Sequence, residues 1–124
     1  MSKKFSDYLK PANLIGGQWV AADSGQTFDV TNPASGKVLG TVPRSGAVET
    51  KRAIEAAQNA FDPWRKRTAS DRSKLLRKLH DAMMDNIDAL AELLTMEQGK
   101  SLAEAKGELT SGASYVLWFA EECR

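Results

Sequence analysis

Phe28-Asp29-Val30-Thr31-Asn32-Pro33-Ala34-Ser35-Gly36 decides how the first half of the chain folds. Asn32 and Pro33 suit neither a helix interior nor a central strand, because proline lacks an N–H and fixes φ. The flanks alternate, with Thr27-Phe28-Asp29-Val30 on one side and Lys37-Val38-Leu39-Gly40-Thr41-Val42 on the other. The reading is strand, turn, strand, with Pro33 setting φ and Gly36 supplying the permissive position. Further toward the N-terminus, Leu14-Ile15 and Gln18-Trp19-Val20 flank Gly16-Gly17. Two glycines between apolar runs read as a tight hairpin, since primed turns need positive φ. Residues 14–43 are thus expected to form two small antiparallel hairpins. Residues 1–13 read as an arm, with Phe5, Tyr8 and Leu9 on one side of a short helix that Pro11 ends.

From Ser45 onward the apolar period changes from two to that of a helix. Ala53, Ala56, Ala57 and Ala60 mark one face of a helix over about 47–61. Alanine there implies close approach of a neighbour, and Pro63 is expected to stop the helix with Trp64 in the connector. A second helix starts near Thr68 or Ser70, both good N-caps, with Asp71 in its first turn. Its seam of Leu76, Leu79, Met83, Ile87, Leu90 and Leu94 runs to about 98, with Asp85-Asn86 as a candidate break. Gly99 stands where a left-handed C-cap belongs. Ser101-Leu102-Ala103-Glu104 is a capping-box pattern. The last seam is Leu102, Ala105, Leu109, Gly112, Val116, Phe119 and Cys123, with no glycine or proline to close it. The expected architecture is two short β-hairpins followed by three or four α-helices, the last helix still periodic at Arg124.

The chain has 124 residues, one domain's worth, with 42% hydrophobic and 27% charged residues. A net charge of +1 gives no electrostatic case for nucleic acid or an anionic membrane. No run approaches eighteen apolar residues, and no apolar stretch follows Met1-Ser2-Lys3-Lys4 to make a signal core. One cysteine, Cys123, excludes an intrachain disulfide and fits a reducing compartment. Cytoplasmic location is the expectation.

Five segments in order carry a family resemblance. They are Gly16-Gly17-Gln18-Trp19-Val20, Val30-Thr31-Asn32-Pro33-Ala34-Ser35-Gly36, the run from Ala53 to Phe61 with Trp64, Arg72 to Leu79, and Leu94-Thr95-Met96-Glu97-Gln98-Gly99-Lys100. Together they resemble the N-terminal portion of the aldehyde dehydrogenase superfamily. Glu97 to Glu108 and Trp118-Phe119-Ala120-Glu121-Glu122 look like its NADP-dependent succinate-semialdehyde dehydrogenase branch. The resemblance implies an α/β parent that oxidises succinic semialdehyde to succinate with NADP (alternatively NAD), in 4-aminobutyrate degradation. It implies thiolate attack on the aldehyde, hydride transfer and thioester hydrolysis. The parent would be a homodimer or homotetramer, and residues 14–124 an incomplete N-terminal part of its cofactor-binding domain. The family's nucleophile, base, oxyanion donor and cofactor glycines find no match here. No catalytic or cofactor-binding residue is therefore assigned, no cofactor is expected on this chain, and the chain alone is expected to be inactive. The alternative is a non-catalytic helical interaction module of the same ancestry. Either way, exposed apolar helix faces are expected to drive self-association.

The resemblance also implies one ion site, in which the Glu97 side chain and a main-chain carbonyl near Val30 surround a monovalent cation. The plainer reading of Glu97 is a carboxylate at a helix C-terminus, opposed by the dipole unless Lys100 pairs with it. Cys123 lies on a helical seam with no histidine near it in sequence and reads as structural. His80, the only histidine, falls beside the seam and reads as an exposed or half-buried helix residue. One histidine and one cysteine do not make a usual zinc site. Gly16-Gly17 and Gly36 are turn residues, since no phosphate-loop pattern occurs. Trp19, Trp64 and Trp118 read as core or interface anchors.

Overall fold

The structure is a computed structural model and describes residues 4–123. After a short 3-10 helix, Phe5–Tyr8, come four strands: β1 (Asn13–Ile15), β2 (Gln18–Val20), β3 (Thr27–Thr31) and β4 (Val38–Pro43). Four helices follow: α1 (Ala47–Arg65), α2 (Ala69–Asp85), α3 (Ile87–Gln98) and α4 (Leu102–Glu122). The described residues fall into two compact units, one of Leu9–Lys66 and one of the residues before and after it.

In the first unit both hairpins form as the sequence reads. β1 pairs antiparallel with β2 in the register Leu14 with Trp19, and Gly16 (φ 59) and Gly17 (φ 79) make the turn. Both positions need the left-handed region, which a Cβ penalises. β3 pairs antiparallel with β4, Val30 opposite Gly40, with a bulge between Val30 and Thr31. Asn32 closes the connecting turn itself, its Oδ1 accepting from the N–H groups of Ala34 (2.8 Å) and Ser35 (3.2 Å). This is the local side-chain turn that asparagine favours. On α1, Ala53 and Ala56 are half-buried, and α1 packs against β1. Ala57 and Ala60 are exposed, so the expected alanine face is covered over only half its length.

α1 also corrects the expected stop. Pro63 lies inside the helix, which runs on to Arg65 and takes Trp64 with it. The missing proline N–H deprives one carbonyl of its donor, a small loss this close to the terminus. The Lys66 N–H then donates to the Asp62 carbonyl at 3.2 Å and closes the last turn.

In the second unit α2 and α3 both pack on α4, and the 3-10 helix packs on α3. Thr68 caps α2, its Oγ1 accepting from the Asp71 N–H at 3.1 Å. Asn86 separates α2 from α3, and its Nδ2 donates back to the Ala82 carbonyl at 2.7 Å. Gly99 (φ 76) caps α3, and Ser101 with Glu104 forms the capping box of α4. The Lys106–Asp88 pair (2.6 Å) ties α4 to α3, and the Arg77–Glu121 pair ties α2 to α4.

Most of the expected seams are covered or half-covered: Leu76, Met83, Ile87, Leu90 and Leu94 on α2 and α3, and Ala105, Leu109, Gly112, Val116 and Cys123 on α4. Leu79, Leu102 and Phe119 face outward, while Ala105, Ala113 and Ala120 are fully covered. Small residues win the buried positions because they let helix backbones approach closely. Among the described residues the buried apolar side chains are Pro43 and six alanines, Ala22, Ala89, Ala91, Ala105, Ala113 and Ala120, with no buried Leu, Ile, Val or Phe. In a self-sufficient core those positions go mostly to Leu, Ile, Val and Phe.

Candidate functional site

Glu49 is the buried charged residue of the first unit. It sits in the first turn of α1 with 6% of its surface exposed. Its Oε1 accepts from the Asp23 N–H at 2.7 Å and its Oε2 from the Gly46 N–H at 2.9 Å. These backbone donors, Asp23 first and Gly46 second, hold the carboxyl below its ordinary range. Arg52 braces the same loop by donating to Asp23 at 2.6 Å. The Asn13 Nδ2 donates to the Ser45 Oγ at 2.7 Å alongside. The sequence reading did not single out Glu49, although Gly46-Ala47-Val48-Glu49 has capping-box spacing. Its other contact lies 26 residues away in the chain, at Asp23.

This arrangement bears on whether a dinucleotide could rest here. A phosphate-binding turn needs a helix N-terminus with free N–H groups. All four helices instead carry an acidic side chain in the first turn: Glu49, Asp71, Asp88 and Glu104. β4 does lead through Gly46 into α1, but Glu49 already takes the Gly46 N–H. At α4 the Glu104 carboxyl accepts from the Ser101 hydroxyl and the Ser101 N–H, which keeps it below its ordinary range. The Gly46 and Ser101 N–H groups are therefore already taken by carboxylates, and Gly16, Gly17, Gly36 and Gly99 are left-handed turn and cap residues.

The remaining sequence candidates fall as follows. Val30 lies in β3 beside the bulge, in the first unit. Glu97 lies exposed in the last turn of α3, in the second unit. Lys100, the expected partner of Glu97, pairs instead with Glu108 of α4. The reason is the Gly99 turn, which carries Lys100 out of the helical register that would stack it on Glu97. His80 is half-buried, and its Nδ1 lies 3.0 Å from the Asp81 carboxylate. Cys123 is half-buried at the end of α4, and its N–H donates to the Phe119 carbonyl. Among the described residues no three His, Cys, Asp or Glu side chains cluster to hold a metal, and no helix is long and apolar enough to cross a membrane.

The most exposed aromatic surface of the second unit is the outer face of α4. Tyr115, Trp118 and Phe119 are 66%, 56% and 56% exposed. With Ser114 they line a shallow concavity of about 410 Å³. The Trp118 and Phe119 rings meet edge to face, centroids 5.0 Å apart. The sequence places Phe119 on the helical seam and marks Trp118 as a core or interface anchor, but it did not single out Tyr115.

Comparison with known proteins follows this geometry closely. The aldehyde dehydrogenase family model matches residues 19–124. A glutarate-semialdehyde dehydrogenase of Pseudomonas putida is 52% identical over 124 residues, the whole of this chain and 26% of that protein. The NADP(+) succinate-semialdehyde dehydrogenase of Escherichia coli is 50% identical over 117 residues, 94% of this chain and 24% of that protein. A crystal structure of an E. coli NADP-dependent enzyme superposes with a TM-score of 0.91 at 50% identity, covering 94% of this chain and 24% of that one. The chain thus spans about a quarter of the length of these relatives.

Proposed function

This chain belongs to the aldehyde dehydrogenase family, and from that premise we propose that it is the N-terminal part of the cofactor-binding domain of an enzyme oxidising a short semialdehyde to its acid. The observation that carries the proposal is identity near one half, along nearly the whole chain, to semialdehyde dehydrogenases. Succinic and glutaric semialdehydes share one chemistry: an aldehyde at one end and a carboxylate at the other, separated by two or three methylenes. The proposed substrate is a member of that pair, succinic semialdehyde first, and the proposed oxidant is NADP, as in the E. coli relative's name. NADP would accept the hydride, and that chemistry belongs to the cofactor. The contribution proposed for residues 14–124 is a scaffold of hairpins and helices. No catalytic role is assigned to any of them. A cytoplasmic location is proposed for the parent, in keeping with the single cysteine, Cys123, of this chain.

The test uses the whole protein. NADPH formation is followed with succinic semialdehyde, glutaric semialdehyde and an uncharged aldehyde of similar length. The expected order of kcat/KM places the two carboxylated substrates well above the uncharged one. Equal turnover of all three would defeat the substrate proposal. Residues 1–124 alone are expected to show no turnover, and measurable NADPH formation by them would defeat the scaffold role.

A further inference from the structure

The last turns of α1 and the short connector after them bury nothing. Every residue of 57–68 is exposed. Arg65 donates to Asp62 at 2.5 Å and lies over the Phe61 ring, so these contacts stay inside the segment. Pro63 has no N–H, and the Asn59 carbonyl one turn earlier loses its helical donor. The Lys66 N–H closes the helix through a long bond, 3.2 Å, to the Asp62 carbonyl. Helical turns with no buried side chain and a missing hydrogen bond open well before the rest of a fold does.

The run Arg65-Lys66-Arg67 stands on this segment. Proteases of the trypsin class cut after lysine or arginine and take several residues in extended form, which an opened 57–68 supplies. Hydrogen bonds single out one peptide bond. The Arg67 carbonyl accepts from the Arg72 Nη1 at 2.9 Å, and the Thr68 carbonyl accepts from the Arg72 N–H at 3.1 Å. α2 therefore holds the chain from the Arg67 carbonyl onward, and the Lys66–Arg67 bond lies just before that hold. The competing positions are tied. The Lys37 carbonyl accepts from the Asn32 N–H at 2.8 Å, the Arg44 N–H donates to the Gln26 carbonyl at 2.8 Å, and Lys100 pairs with Glu108. Lys10 precedes Pro11, a bond this class of protease leaves intact. We propose that 57–68 opens locally and that Lys66–Arg67 is the chain's site of limited proteolysis by a trypsin-class enzyme. The bond from the Lys66 carbonyl carbon to the Arg67 nitrogen breaks; water gives its hydroxyl to Lys66 and its proton to the new amine of Arg67. A dehydrogenase fragment and an interaction module would be cut alike, so the inference is independent of the semialdehyde reading.

The experiment digests residues 1–124 with a trace of trypsin and identifies the first products beyond the N-terminal arm by mass spectrometry. The expected pair is 1–66 and 67–124. Pro63→Ala restores the missing N–H and should slow the loss of intact chain about fivefold, as one regained hydrogen bond does when cleavage follows the open population. An unfolded peptide of residues 57–70 with the same substitution should be cut as fast as the native peptide, which separates helix opening from recognition by the protease. Lys37→Gln should leave the lifetime of the intact chain unchanged. First cuts at Lys37, Arg44 or Lys100 would overturn the proposal. So would a Pro63→Ala chain cut as fast as the native one, or equal slowing of the peptide. The native digest needs no variant and decides the position of the cut even if Pro63→Ala fails to fold.

Discussion

Gly107 and Gly112 lie five residues apart in the middle of α4, and replacing each with alanine separates helix propensity from packing. Both have ordinary helical backbone, so neither substitution strains φ. Glycine inside a helix costs about 0.8–1.0 kcal/mol relative to alanine, because it loses more backbone freedom on folding. A Cβ at Gly107 would meet nothing within 4 Å. Gly107→Ala should therefore stabilise the chain by the propensity alone, about 0.9 kcal/mol. A Cβ at Gly112 would stand 4.0 Å from the Met83 Cε of α2, an ordinary van der Waals distance. The position is half-buried, so the new methyl should add about half the value of a buried methylene, ~0.4 kcal/mol. Gly112→Ala should then gain about 1.3 kcal/mol in all. Urea unfolding with a constant slope measures both, and the difference between the two variants is the readout. A loss of stability in Gly112→Ala beside a gain in Gly107→Ala would mean that Met83 sits closer to the α4 backbone than the structure places it. Losses in both would mean that α4 is not a continuous helix through these residues.

Three further outcomes follow from the same geometry. Gly99→Ala should cost about 1–2 kcal/mol, because φ of 76 puts a Cβ against the following carbonyl; an unchanged urea midpoint would show that α3 ends in another way. Ser73→Ala should stabilise by about 1 kcal/mol, since the Ser73 hydroxyl is fully buried with no hydrogen-bond partner; a clear loss would reveal a partner for it. Glu49 and Glu104 have folded-state pKa values below the ordinary one, so the unfolded chain binds their protons more readily. Their stabilisation is whole above a pH of about 4.3 and is lost as pH falls through the lower folded values. Glu49→Gln should flatten the acid limb of the stability curve there, and an unaltered limb would remove Glu49 from the account.

The elements of this fold were legible because local chemistry specifies them. Gly16-Gly17 allows the positive-φ turn that a tight hairpin needs, Asn32 closes its own loop, and Thr68, Gly99 and Ser101 mark helix ends through local chemistry. Pro63 misled because a proline's effect depends on how much helix remains beyond it, and here only two residues do. The covered faces were harder to read. The second half of α4 carries two apolar stripes, one through Ala113, Val116 and Ala120 and one through Tyr115, Trp118 and Phe119. Hydrophobicity alone ranks the aromatic stripe as the better core, yet the alanines are buried and the rings are open. Residue size resolves the contradiction. Close helix contact within the chain selects small side chains and leaves the bulky rings on the open side. Glu49 was hidden for the opposite reason: its spacing to Gly46 is local, but the Asp23 contact that completes its role is made only once the loop after β2 has folded back. A sequence therefore displays its turns and caps directly. It displays its covered faces only when the size of the residues on each stripe is weighed along with their polarity.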